Sequence, residues 1–333
     1  MPVRTQGRFA VAGWVAVAVA GLTLALSVEG AGAAFPGANG RIAFGVDKWA
    51  PADPCLPVPH GCEPELVSAT IETVRPSGRG RRVLHSLSAG LARESGPTWS
   101  PSGRLLAFEG QGRLAIIRRD GTGLRRLPQL TERDSEPAWS PDGRRLAFVG
   151  SRSCDYCYWV HTVRLDGTAL RPVVAQGALS PAWSATGRIA FVHYYDRYAK
   201  PDSLKNGLHT VNPDGSRLRR LFGRYWGPGH APDWSPDASR IAFVARGQIF
   251  TLRADGRGLR RLTAFKQNLV VTGLAWSPDG KYIAFDRTND LYVMRANGRG
   301  LRRVVDGQSP QELDQPNQGW YEVSAPSWQA LPR

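Results

Sequence analysis

Three observations predict an all-β chain closed into a six-bladed β-propeller. The segment WSPDGRRLAF at residues 139–148 returns in close variants along the chain. Its tryptophan recurs as Trp99, Trp139, Trp183, Trp234, Trp276 and Trp328, at spacings of 40, 44, 51, 42 and 52 residues. The two ends carry complementary pieces of the unit: Gly40-Arg41-Ile42-Ala43-Phe44 has no tryptophan strand before it, and Trp328 in APSWQALPR has no strand after it.

Within one repeat the elements follow from local chemistry. Trp139 ends a strand (A), and Ser140-Pro141-Asp142-Gly143 makes a tight turn. There Pro presets φ, Asp caps with its side chain and Gly takes the left-handed conformation. Arg144 to Phe148 form the return strand (B). An apolar run (C) then leads to a second turn: Asp120-Gly121, Asp166-Gly167, Asp214-Gly215, Asp255-Gly256 or Asn297-Gly298, with a weaker Ser77-Gly78 upstream. A short run such as Leu124-Arg125-Arg126-Leu127 completes the set (D). A lone hairpin cannot bury its apolar face; four strands per 40–50 residues is the period of a propeller blade. Blade 1 takes B–D from the N-terminal part and A from the C-terminal part, which removes free sheet edges. One ring thus accounts for residues 35–333 as a single domain, above the usual size of one core.

The recurring P-x-W-S-P-D-G-R-x-I-A-F, followed by an apolar strand and D-G, resembles the TolB-like (PD40) six-bladed propeller repeat over roughly residues 36–330. Copies drift at Ser100-Pro101-Ser102-Gly103, Ser184-Ala185-Thr186-Gly187 and Ser235-Pro236-Asp237-Ala238. The resemblance implies an exported envelope propeller. The Tol-Pal component itself carries an α/β domain before its propeller, so its role is not transferred. The Trp-Asp ending of WD40 repeats and the sialidase Asp box are absent.

Residues 1–34 read as a signal peptide. Arg4 and Arg8 precede an apolar stretch from Phe9 to Val28 and then small residues, with cleavage expected after Ala33 or Ala34. The alternative is an uncleaved membrane anchor, since the stretch approaches spanning length. Either places the propeller outside the cytoplasmic membrane, periplasmic, envelope-bound or secreted.

A net charge of +15 raises the question of nucleic acid. The arginines, however, recur once per blade (Arg81-Arg82, Arg125-Arg126, Arg219-Arg220, Arg260-Arg261, Arg302-Arg303), which spreads them round a rim. The expectation is a solvated rim that discourages edge pairing, or attraction to an anionic envelope surface, and no nucleic-acid partner.

Four cysteines in an exported chain point to disulfides. Blade 2 separates the two loops, so the expected pairs are local, Cys55–Cys62 and Cys154–Cys157. The alternatives are thiol redox chemistry, which lacks a helix N-terminus here, and a four-cysteine zinc site.

Function is expected on one face. The A–B and C–D turns are minimal, whereas the long segments 45–66, 150–158, 193–207, 222–231 and 306–322 are all B–C or D–A connections, which emerge on the other side. Four positions before each tryptophan stand Ser95, Ser135, Leu179, His230, Thr272 and Ser324, with Glu94, Asp134 and Glu136 beside them. They form either a polar funnel, with His230 titratable near neutrality, or local caps at the start of strand A. Tyr194, Tyr195 and Arg197 have the composition of a recognition loop, or of one packed on its own aromatics. Asp142, Asp237 and Asp279 are expected to be turn formers. No G-x-S-x-G or H-E-x-x-H occurs. The leading expectation is a monomeric, non-catalytic binder of a protein, peptide or envelope glycan with no cofactor. The rival is a hydrolase or lactonase with a channel cation such as Ca2+, using Glu136 with His230.

Overall fold

The computed structural model describes residues 34–50, 65–88, 94–151, 158–175, 177–193, 206–223, 231–266, 271–307 and 320–331. They form six four-stranded antiparallel sheets. Blade 1 holds β1 (Ala38–Ala50), β2 (Glu65–Val74) and β3 (Arg82–Ser88), and blade 2 holds β4 (Glu94–Trp99), β5 (Leu105–Gly110), β6 (Arg113–Arg118) and β7 (Arg125–Arg126). Blade 3 consists of β8 (Arg133–Trp139), β9 (Arg145–Ser151), β10 (Tyr158–Arg164) and β11 (Arg171–Val174). Blade 4 consists of β12 (Ala178–Trp183), β13 (Ile189–His193), β14 (Gly207–Val211) and β15 (Arg219–Phe222). Blade 5 follows with β16 (Asp233–Trp234), β17 (Arg240–Ala245), β18 (Gln248–Arg253) and β19 (Arg260–Arg261). Blade 6 adds β20 (Leu274–Trp276), β21 (Tyr282–Arg287), β22 (Asp290–Arg295) and β23 (Arg302–Val305). The last strand, β24 (Trp320–Leu331), joins blade 1 beside β1, with Ile42 opposite Trp328. The ring closes through the two ends, as the complementary fragments predict.

The turns obey the expected chemistry. In blade 3 Gly143 N donates to Ser140 O at 2.9 Å, and Arg144 N donates to Asp142 Oδ1 at 3.0 Å. Asp237 and Asp279 accept from Ser239 N and Lys281 N in the same way, which makes all three aspartates turn formers. Where blade 5 lacks the glycine, Ala238 takes the left-handed conformation itself, at φ 55°.

Side chains of adjacent blades fill the space between them, so the core is a series of wedges. One cluster spans blades 2 to 4 around Trp139, Trp183 and Phe148; others join blades 4 and 5, 5 and 6, 6 and 1, and 1 and 2. The A strands β24, β4, β8, β12, β16 and β20 contact one another in succession and line the axis. Two tryptophans tie neighbours by their indole N–H: Trp139 Nε1 donates to Thr98 O at 2.9 Å, and Trp234 Nε1 to Ala182 O at 3.1 Å.

The rim arginines do more than face water. Arg125 Nη1 donates to Leu165 O at 2.7 Å, Arg219 Nη2 to Asp255 O at 2.9 Å and Arg260 Nη2 to Asn297 O at 3.3 Å; Arg302 reaches Pro76 O likewise. Each bonds the carbonyl at the C–D turn of the next blade. The turn glycine answers in the other direction. A methyl on Gly298, at φ 85°, would lie 2.5 Å from Leu262 O of blade 5, and one on Gly121 would lie 2.8 Å from Leu84 O of blade 1. The D-G and L-R-R motifs are therefore two halves of one joint.

The structure departs from the sequence reading in blade 1. Residues 45–50 and 65–66, expected to be loop, continue β1 and β2, paired out to Ala50 and Glu65. β24 runs alongside as far as Trp320, opposite Trp49, so a three-stranded extension stands up on the loop face. Both flanks of β1 find partners there, which satisfies backbone groups that a loop would leave to water.

Candidate functional site at the channel wall

A proline in strand A shapes the channel wall. Pro97, Pro137, Pro181 and Pro326 cannot donate to the ladder, and pairing shifts register between Ser95 and Thr98, Ser135 and Ala138, and Leu179 and Ala182. The residue before each proline turns to positive φ: Gly96 (60°), Glu136 (52°), Ser180 (51°) and Ala325 (37°). Only the first is glycine, so three positions carry backbone strain that the packing holds.

These bulges touch from blade to blade and single out Glu136. A methyl on Gly96 would come within 3.9 Å of Glu136 Cα, and Ser180 N donates to Glu136 Oε2 at 2.5 Å. The Glu136 side chain is buried. Burial pushes its pKa up to about 8, opposed by the Ser180 N–H and reinforced by the nearby Glu109 carboxylate. At neutral pH the group is mainly a neutral carboxylic acid, able to donate a proton or a hydrogen bond. Beside it, Glu109 Oε1 accepts from Arg133 Nε at 3.0 Å and Nη2 at 2.8 Å, and Oε2 from Ser95 Oγ at 3.3 Å. Burial raises the Glu109 pKa and Arg133 opposes the rise.

The other predicted positions divide. Thr272 Oγ1 donates to Asp286 Oδ2 at 2.5 Å, and the Thr272 and Gly273 amides bond the same carboxylate, whose pKa burial raises to about 6. Ser135 Oγ donates to Val149 O at 3.4 Å. Ser324 is half-buried opposite Gly45, and Leu179 pairs with Val192. Asp134 accepts from Leu130 N, Thr131 N and Thr131 Oγ1 at 2.9, 2.9 and 2.6 Å, folding the D–A connection back on itself. Ser95, Ser135 and Thr272 thus bond their own blade at the start of strand A, Asp134 organises a turn, and Glu136 reaches across to the next blade. His230, Tyr194, Tyr195, Arg197 and the cysteine pairs Cys55–Cys62 and Cys154–Cys157 lie outside the described residues, as does the segment 1–33.

Glu109 and Asp286 were missed by sequence reasoning. Both follow the phenylalanine of strand B, where Val149, Val192 and Val244 stand in blades 3, 4 and 5; an acid in that apolar column was the available signal. The scattered histidines also find an explanation. His161 stacks on Phe148 (5.4 Å between centroids), His209 on Phe191 (5.3 Å), and His85 leans on Phe108 (5.9 Å). Burial lowers the pKa of His209 to about 4, so it is a neutral core aromatic at physiological pH.

Among the described residues no three His, Cys, Asp or Glu side chains cluster at metal-ligand spacing, and no helix is long and apolar enough to cross a membrane. A shallow, open groove between blades 2 and 3 lies on the turn face, lined by Arg125, Asp142, Arg144, Arg145, Arg164 and Asp166. It is part of the interblade joint, since Arg125 is already bonded to Leu165 O.

No protein-family model matches the chain. An uncharacterized protein of Agrobacterium fabrum is 32% identical over 88 residues; the match spans 25% of this chain and 30% of that protein. TolB from Acinetobacter baumannii superposes with a TM-score of 0.59 at 17% identity, covering 86% of this chain and 67% of that one. The matched chain of a nidogen/laminin complex gives 0.62 at 12% identity, covering 88% and 100%. An oligogalacturonate lyase in complex with manganese gives 0.51 at 15% identity, covering 80% and 83%. The fold is that of the TolB-like six-bladed propeller.

Proposed function

We propose that the protein is an exported, non-catalytic binding propeller that holds a protein or peptide on the B–C/D–A loop face, over the channel wall that carries Glu136. One observation carries this reading: C–D turns on the turn face are engaged in the ring's own joints. Gly121 and Gly298 abut the neighbouring blade, and Arg125, Arg219 and Arg260 bond neighbouring carbonyls. The long connections all emerge on the opposite face, where binding loops on a rigid scaffold belong. The nidogen/laminin complex is a protein assembly containing a propeller of this fold, which lends support by analogy alone.

A photo-crosslinking residue at Ser324 or Thr272, on the loop face, is expected to yield an adduct with a partner from envelope extract. The same residue at Asp142 or Asp279, on the turn face, is expected to yield none. Adducts from the turn face alone would overturn the assignment. A hydrolytic reading draws on Glu136, whose carboxyl holds its proton at neutral pH as a general acid must. Glu136→Gln distinguishes the two: it abolishes turnover in an enzyme and leaves the loop-face adduct of a binder intact.

A further inference from the structure

The first described residues end inside the ring. Ala34 and Phe35 are both buried. Ala34 belongs to the cluster of blades 5 and 6 with Val271, Leu274 and Trp276, whereas Phe35 belongs to the cluster of blades 2 to 4 with Trp139 and Trp183. Neighbouring residues that pack against opposite sides of a ring lie on its axis. The chain then leaves on the turn side, where Gly37 N donates to Pro278 O at 3.3 Å and Asn39 Oδ1 accepts from Asp279 N at 3.1 Å.

Ala34 meets an acid there. Asp233 stands immediately before Trp234 and is fully buried. Its Oδ2 accepts from Trp276 N at 2.6 Å, and its Oδ1 accepts from Ala34 N at 3.2 Å. Among the described residues no cationic side chain bonds it. The other blades place Thr98, Ala138, Ala182, Ala275 and Ser327 at this position, so the acid occurs once, in the blade against which Ala34 lies. A buried carboxylate supported by amide donors alone is costly, and a cationic partner relieves that cost. Burial accordingly drives the Asp233 pKa well above the carboxylate range in the unprocessed chain.

We propose that the leader is cut between Ala33 and Ala34 and that the α-ammonium thus created docks on Asp233 as a buried ion pair, latching the N-terminus into the ring axis. The proposal rests on the signal-peptide reading of residues 1–34 and is independent of what the loop face binds. Ala31-Gly32-Ala33 supplies the small residues that a leader peptidase requires. Hydrolysis consumes one water, breaks the Ala33–Ala34 C–N bond, leaves a carboxylate on Ala33 and leaves an amine on Ala34 that takes up a proton. An amide with one N–H becomes an ammonium with three, beside a carboxylate that has no other cation. Cleavage one residue later would remove the atom that bonds Asp233.

The test begins with the full chain exported under its own leader. Terminal sequencing and intact mass are expected to give a mature chain starting at Ala34; a start at Phe35, or a retained leader, overturns the proposal. Asp233→Asn is then made in the processed chain and in a chain whose leader is replaced by an uncleavable Gly-Ser extension. The substitution is expected to lower the melting temperature of the processed chain more than that of the extended one, and equal shifts overturn the ion pair. A third readout needs no substitution. An N-hydroxysuccinimide ester is expected to acylate the Ala34 α-amine about tenfold more slowly in the folded chain than in the urea-unfolded chain, a factor worth about 1.4 kcal/mol. Equal rates contradict the latch.

Discussion

Replacing the wedge tryptophans one at a time by phenylalanine should separate them into two classes. All are buried, and each substitution removes the same part of the indole, so the loss of volume is a shared cost. What differs is the N–H. In Trp139 and Trp234 it donates to Thr98 O and Ala182 O of the preceding blade, at 2.9 and 3.1 Å. In Trp183 and Trp276 it has no partner among the described residues. Trp139→Phe and Trp234→Phe lose a hydrogen bond with a net worth of about 1 kcal/mol and leave a buried carbonyl short of a donor. Trp183→Phe and Trp276→Phe instead delete a buried donor that was already unsatisfied, which offsets part of the volume loss. The two classes should therefore differ by about 2 kcal/mol. Urea unfolding followed by far-UV circular dichroism, with equal slopes, measures the gap from the midpoints. Four equal losses, or larger losses at Trp183 and Trp276, would refute the interblade role of the indole.

Two further outcomes follow from the described geometry. The pKa of Glu136 is raised in the folded chain, so that state binds more protons than the unfolded chain between the ordinary glutamate range and about pH 8. Its stabilisation is complete at low pH and is lost as pH rises through about 8. Glu136→Gln should flatten the fall in melting temperature between pH 6 and 8 while leaving in place the fall due to Asp286, which runs from the ordinary aspartate range up to about 6; an unchanged profile would show that Glu136 is ionised in the fold. Gly298→Ala and Gly187→Ala both impose the left-handed penalty of about 1–2 kcal/mol, at φ 85° and 89°. Only the first drives a methyl to 2.5 Å from a neighbouring carbonyl, whereas nothing lies within 4 Å of the second. Denaturation midpoints should therefore fall further for Gly298→Ala, and equal losses would mean that the D-G turn does not join blades.

What the sequence made legible was local or repetitive. Ser-Pro-Asp-Gly folds by contacts within five residues, and the unmatched Ile42 and Trp328 segments announced each other because a repeat defines what is missing. The offset from Trp139 put Glu136 among the polar residues at the entry to strand A, with a funnel and local caps both open. Contacts between blades were harder to see, because they depend on how far one sheet is staggered against the next. Arg125 looks like any exposed arginine until Leu165 O is placed above it. Asp233 carried a faint signal as the one acid before a repeat tryptophan, yet its meaning depends on Ala34, 199 positions away.

The closing strand has a consequence for how the molecule is made. Arg41 N donates to the Gln329 side chain 288 positions along the chain, and the whole β1–β24 ladder has separations of that order. Contacts so remote in sequence form late, because the intervening chain must be ordered before they reward it. During synthesis the flank of β1 that receives β24 is thus bare until residues 320–331 arrive. For that interval the nascent ring offers an unpaired edge that a second copy could capture, and strand exchange between two incomplete rings competes with self-closure. The yield of closed rings then depends on how quickly β24 is delivered.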